Sequence, residues 1–171
     1  MGYCLVCFLH LFPDQPVTRN YKPKERAVAA LLQETFPAQT WIHDRRVADG
    51  CSYRRPDLLC DMGSHVVVVE IDEDQHSTYD TTCENKRLME ISRDIGHRPL
   101  VLIRFNPDAY TDSSDVTIPG CWRVNGFGAC TIVNDSEWAL RTATLMATVK
   151  EWLDTPTDRT VTVLSLYFNA H

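Results

Sequence analysis

The chain has 171 residues, 44% of them hydrophobic and 23% charged, with a net charge of −6. This is the size and composition of one globular domain with a sizeable core, and no apolar run approaches the roughly 20 residues of a membrane span. Seven cysteines, an odd number, in a chain of this size point to reduced thiols and an intracellular protein of nucleus or cytoplasm.

The opening "MGYCLVCFLHLF" is apolar but has neither a basic leader nor a small-residue cleavage site, so it does not read as a signal peptide. Residues 1–18 are expected to form an N-terminal extension carrying a Cys-x-x-Cys, with 19–171 as a single domain. Cys4, Cys7 and His10 offer half of a structural Zn²⁺ site; the alternative is buried cysteines in an element packed on the core. Pro23 followed by "KERAVAALLQETF" predicts a helix with proline in its first turn and an apolar face of Ala27, Val28, Leu31 and Leu32.

"TWIHDRRV" alternates and predicts a strand. "PDLLCDM" and "HVVVVEID" predict two more, joined at hairpin spacing by "MGS". "DTTCENKRLMEISRDIG" predicts a helix capped by Asp80 or Thr81 and ended by Gly96. "RPLVLIRF" predicts a short buried strand. Residues 106–134 read as a loop-rich stretch able to carry recognition, with Trp122 and Phe127 either stacking on bases or packing on the core. "DSEWALRTATLMATVKEWL" predicts a helix starting at Asp135 or Ser136, and "TVTVLSLYF" a last strand. The strand–helix–strand step implies a right-handed parallel crossover. The fold class is α/β, a mixed sheet with helices on both faces.

The strand that contains Val66–Val69 runs into Glu70, Asp72, Glu73 and Asp74. Carboxylates this close raise the cost of burying one another, so a counter-cation is expected. With the turn centred near residue 63, Asp57 falls opposite position 69 or 70 and can meet Glu70 on one face. Two such carboxylates suit Mg²⁺ or Mn²⁺. The competing reading is a solvated or arginine-paired cluster. Although the net charge argues against nucleic acid, the basic residues are concentrated in one part of the chain: residues 1–104 carry 13 basic against 15 acidic side chains, and 105–171 carry 4 against 8. Basic clusters such as "RNYKPKER", "DRR", "YRR" and "NKR" can track phosphates or simply be solvated.

Pro56-Asp57 followed by Glu70-Ile71-Asp72, in helix–β–β–β–helix–β order, resembles the PD-(D/E)XK nuclease superfamily. Over residues 19–110, "RNYKPKE", "GCSYRRPDLLCD", "VVVVEIDEDQH", "CENKR" and "RPLVLIRFNPD" are similar to proteins of large DNA viruses and protists related to very-short-patch-repair and EDxHD homing endonucleases. The resemblance implies a restriction-endonuclease-like sheet with an extra C-terminal helix and strand. It implies Asp57 and Glu70 as metal carboxylates and Glu25 as the helix glutamate that completes the site. The lysine expected two residues after Glu70 is Asp72 here. Gln75 and His76, or Lys86 on the next helix, are the candidates to hold or deprotonate the attacking water. Arg54, Arg55 and Arg87 would meet nucleic-acid phosphates. The implied activity is metal-dependent hydrolysis of DNA, double-stranded, by a monomer or a homodimer. An RNA or flap nuclease, a non-catalytic nucleic-acid-binding domain of the same fold and a zinc-organised interaction module are the alternatives.

Overall fold

The structure is a computed structural model that describes residues 22–48, 50–73, 81–125 and 129–169. The expected extension over 1–18 lies outside them. None of the described helices is long and apolar enough to cross a membrane.

Helix α1, Pro23–Thr35, starts where expected, with proline in its first turn. Its buried face is Val28, Ala29 and Leu32, and the Phe36 N–H closes it on the Leu32 carbonyl. Strand β1 is only Trp41–His43, shorter than the predicted run. Asp44 takes a left-handed φ of 46° and turns the chain out of the sheet. The Asp44 N–H donates to the Asp57 carbonyl at 3.0 Å, closing a long loop back to β2, Leu58–Asp61.

The predicted hairpin is present. Gly63, at φ 78°, makes the turn into β3, Val66–Ile71, with Leu58 opposite Val69 and Asp61 opposite Val66. Val66 to Val69 are 0% exposed, each contributing roughly 1.5–3 kcal/mol. Helix α2, Thr81–Asp94, carries the chain over the sheet to β4, Leu100–Phe105, which is parallel to β3. Gly96, at φ 74°, follows the helix end as predicted.

The stretch 106–134 is loop-rich but holds two small hairpins, β5 (Tyr110–Thr111) with β6 (Thr117–Ile118) and β7 (Trp122–Val124) with β8 (Cys130–Ile132). Helix α3, Asp135–Asp154, leads to β9, Val161–Leu166, parallel to β4. The cap of α3 is Asn134, whose side chain accepts from the Glu137 N–H, one residue before the expected position.

The result is a mixed five-stranded sheet, β1-β2-β3-β4-β9, with three described helices, including the expected C-terminal helix and strand. Strand alternation sorts its two faces. Val67, Val69, Ile71, Val101, Ile103 and Phe105 pack with residues of α1 and α3. Leu59, Val66, Val68 and Leu100 pack with Ile91 and Ile95 below α2. Glu70 continues the second set, as does Asp57 two residues before Leu59, so both belong to the face that α2 covers.

Candidate functional site

Asp57 lies one residue before the paired run of β2. Since Leu58 faces Val69, the register carries Asp57 opposite Glu70. The Ile71 N–H donates to Asp57 Oδ2 at 2.8 Å, fixing the side chain at this end of the hairpin. Both carboxylates line a cleft of about 660 Å³ beside α2. Burial, then the charge of Glu25, push Asp57 up to about 6, against the opposing Ile71 N–H, Lys22 and Arg87. Burial, then the charge of Asp57, push Glu70 up to about 8. Arg87 grips both oxygens of Glu70, at 2.7 and 2.8 Å, without cancelling the burial.

Glu25 does reach this cleft from the first turn of α1. One oxygen is 2.8 Å from His43 Nε2 and the other 2.7 Å from Lys22 Nζ. Lys22 also stands 3.6 Å from Asp44 and 3.9 Å from Asp57. One ammonium therefore serves three carboxylates. Burial opposes its charge, but Glu25, Asp57 and Asp44 outweigh that and raise its pKa above the ordinary lysine value. Lys22 holds a left-handed φ of 47° immediately before Pro23, doubly unfavourable for a residue with a side chain. The sequence reading missed Lys22; its spacing of three from Glu25 at a helix start was the available signal.

Asp72 is buried in the cleft and bonded to Arg104 Nε, while Arg104 Nη2 donates to Glu84 at 2.8 Å. Lys24 joins Glu73 at 3.3 Å to Asp108 at 2.7 Å. The cluster at the end of β3 is thus paired with arginine, as the competing reading held, through Arg87 and Arg104, and with lysine as well, through Lys22 and Lys24.

The basic candidates separate. Arg54 donates from Nε to Glu90 at 2.5 Å. Arg55 lines the cleft and is 57% exposed, with Asp44 at 3.8 Å. Arg87, expected on phosphate, is on Glu70. Lys86 is exposed and is not among the residues lining the cleft: one step along a helix turns a side chain by about 100°, and that step belongs to Arg87. Gln75, His76, Asp74, Cys4, Cys7 and His10 lie outside the described residues, as does Phe127. Trp122 packs on the core, its ring 5.3 Å from and edge-on to Trp138. The described thiols are free: Cys60 and Cys121 are buried, Cys130 is half-buried and Cys51 is exposed. Among the described residues no group of three or more His, Cys, Asp or Glu side chains is placed to hold a metal ion.

A hard divalent cation needs only one or two carboxylates, with water and substrate oxygens for the remainder. Asp57 and Glu70 are such a pair, oxygen-only and facing each other, in a setting that favours added positive charge. Their donor chemistry fits Mg²⁺ or Mn²⁺ once the Lys22 and Arg87 side chains yield. Comparison of the chain with protein-family models, curated proteins and solved structures returned no match.

Proposed function

We propose that the chain is a metal-dependent nuclease with a restriction-endonuclease-like core that hydrolyses phosphodiester bonds in DNA. The observation that carries the reading is the meeting of Asp57 and Glu70 at one end of an antiparallel hairpin, inside a cleft rimmed by arginine. The element order of the main sheet and the position of Glu25 support it.

Asp57 and Glu70 would hold the cation, and a bound divalent ion supplies Lewis acidity and an activated water. The Ile71 N–H orients Asp57. Arg55, half out of the cleft, meets a phosphate of the incoming strand and partly offsets its charge. Lys22, released from Asp57 but still paired with Glu25, and Arg87, released from Glu70, line the same cleft and would neutralise charge that builds as the bond breaks. Glu25 keeps His43 and Lys22 at the site.

A second reading is a domain of the same fold that binds nucleic acid without cutting it. The two-point grip of Arg87 on Glu70 and the Arg104–Asp72 pair favour it, because each ties a carboxylate to a resident cation. Titration of the protein with Mn²⁺ separates the two. The nuclease reading expects a saturable site that is lost in both Asp57→Asn and Glu70→Gln. Binding of Mn²⁺ unchanged in both variants would remove the metal centre and leave the binding domain.

A further inference from the structure

We propose that residues 44–48 and 50–57, in the loop joining β1 to β2, are a preformed docking surface for a nucleic-acid strand, on which an unpaired base stacks against Tyr53. The proposal rests on the reading of the neighbouring cleft as a phosphodiester site.

Tyr53 is 77% exposed, the most exposed of the large hydrophobic residues among those described. Burial in the core therefore does not account for it. The Arg46 guanidinium lies over its ring, 4.1 Å from the centroid. One face of the ring is thus braced by a cation while most of the side chain stays in solvent. Stacked aromatic and guanidinium groups form a platform that accepts any base, since every base has a π-face.

The loop is basic by a narrow margin, Arg45, Arg46, Arg54 and Arg55 standing against Asp44, Asp49 and Asp57. Arg54 is tied to Glu90, but Arg45 and Arg46 are exposed, Arg45 without an ion pair among the described residues, and Arg55 is mostly in solvent. Arg54 and Arg55 line the cleft of Asp57 and Glu70. Arg45 and Arg46 line a second cleft of about 320 Å³ with Ile42 and Leu59, residues of the sheet face that α2 also covers. A strand lying along the loop is therefore led by phosphate contacts to the carboxylates.

The surface is held in place before any ligand arrives. Asp94 accepts from the N–H of Cys51 at 3.0 Å and of Ser52 at 3.1 Å, and is also bonded to the Ser52 hydroxyl. Gly50 approaches the same carboxylate so closely that a Cβ would come within 2.8 Å of its Cγ. Arg87 donates to the Arg55 carbonyl at 3.2 Å. Ordering entropy is thus spent on folding rather than on binding. A ring presented on a fixed loop reaches a base face only if that base is out of its stack, so the ligand is a strand with an unpaired base rather than an undisturbed duplex.

The test is fluorescence anisotropy of the full chain in EDTA, with a labelled duplex carrying one bulged base and a fully paired duplex of the same length. The parent should prefer the bulged duplex. Tyr53→Ala should lose about tenfold or more on it and little on the paired one, and Tyr53→Phe should keep the preference. Arg45→Gln and Arg46→Gln should each flatten the salt dependence by roughly one charge. Equal binding of the bulged duplex by Tyr53→Ala and the parent, or no binding by the parent, overturns the surface. Cleavage of the same duplexes in Mn²⁺ keeps the two claims apart. A parent that shows the preference but cuts nothing retains the surface and loses the nuclease. A parent that cuts, with Tyr53→Ala equal to it in binding and cutting, retains the nuclease and loses the surface.

Discussion

Glu70 makes the metal-free protein sensitive to pH in an unusual direction. Burial, with Asp57 beside it, moves its pKa from the ordinary 4.5 up to about 8, despite Arg87. A carboxyl that binds its proton more tightly in the folded state stabilises the fold at low pH. Its contribution is complete below about 4.5 and is lost as the pH climbs through about 8. At roughly 1.4 kcal/mol for each pH unit of displacement, the ceiling for Glu70 is about 5 kcal/mol. Asp57, raised from 3.8 to about 6, acts the same way over a lower range. The two groups feel each other, so their effects do not add. Urea unfolding of the parent in EDTA should therefore show stability falling by several kcal/mol from pH 5 to pH 8. Glu70→Gln, which cannot ionise, should flatten most of that fall, and Asp57→Asn should flatten the part below about pH 6. Mg²⁺ or Mn²⁺ should restore stability more at pH 8 than at pH 5, because the ion binds ionised carboxylates; at a hundred times its Kd the gain is about 3 kcal/mol. Parent stability that is flat or rising across this range, or a Glu70→Gln slope equal to the parent's, would refute the placement of Glu70 in a dry site facing Asp57.

Other variants probe the surrounding structure. Arg141 is 0% exposed and donates to the carbonyls of Asn106, Asp108 and Pro119, so Arg141→Met should cost about 3–5 kcal/mol and lower Tm by roughly 10 °C, read by calorimetry. Gly50→Ala forces a Cβ onto Asp94 and should loosen the 44–57 loop, costing about 1–3 kcal/mol and raising amide exchange at Cys51 and Ser52. Lys22→Met leaves Glu25 and Asp57 without their shared ammonium; it should tighten Mn²⁺ binding, measured by titration calorimetry, because it removes a competing positive charge.

The part of the site carried by the hairpin was legible in the sequence. "MGS" between two apolar runs sets the turn, alternation of period two sets the faces, and together they bring Asp57 opposite Glu70 as observed. Glu25 entered only through the resemblance, which implies a helix glutamate; the proline that starts the helix sets its place in the first turn. Missed features depend on contacts the chain makes with distant parts of itself. Whether Lys86 or Arg87 enters the cleft turns on the phase of α2, which its docking on Leu59 and Val68 decides. The β5–β6 hairpin is held at its two flanks by Arg141, whose acceptors on Asn106 and Pro119 lie 35 and 22 residues away. The early end of β1 follows from a left-handed Asp44, which no apolar pattern marks.

The central claim is that Asp57 and Glu70 hold the ion that carries phosphodiester hydrolysis. Its most direct test is cleavage of supercoiled plasmid and of a bulged duplex in Mg²⁺ and in Mn²⁺, by the parent, Asp57→Asn and Glu70→Gln, each confirmed as folded. The expected result is divalent-dependent cutting by the parent, abolished by EDTA and absent from both variants. Cutting by Asp57→Asn at the parent's rate, or a folded parent that cuts neither substrate with either ion, would contradict it.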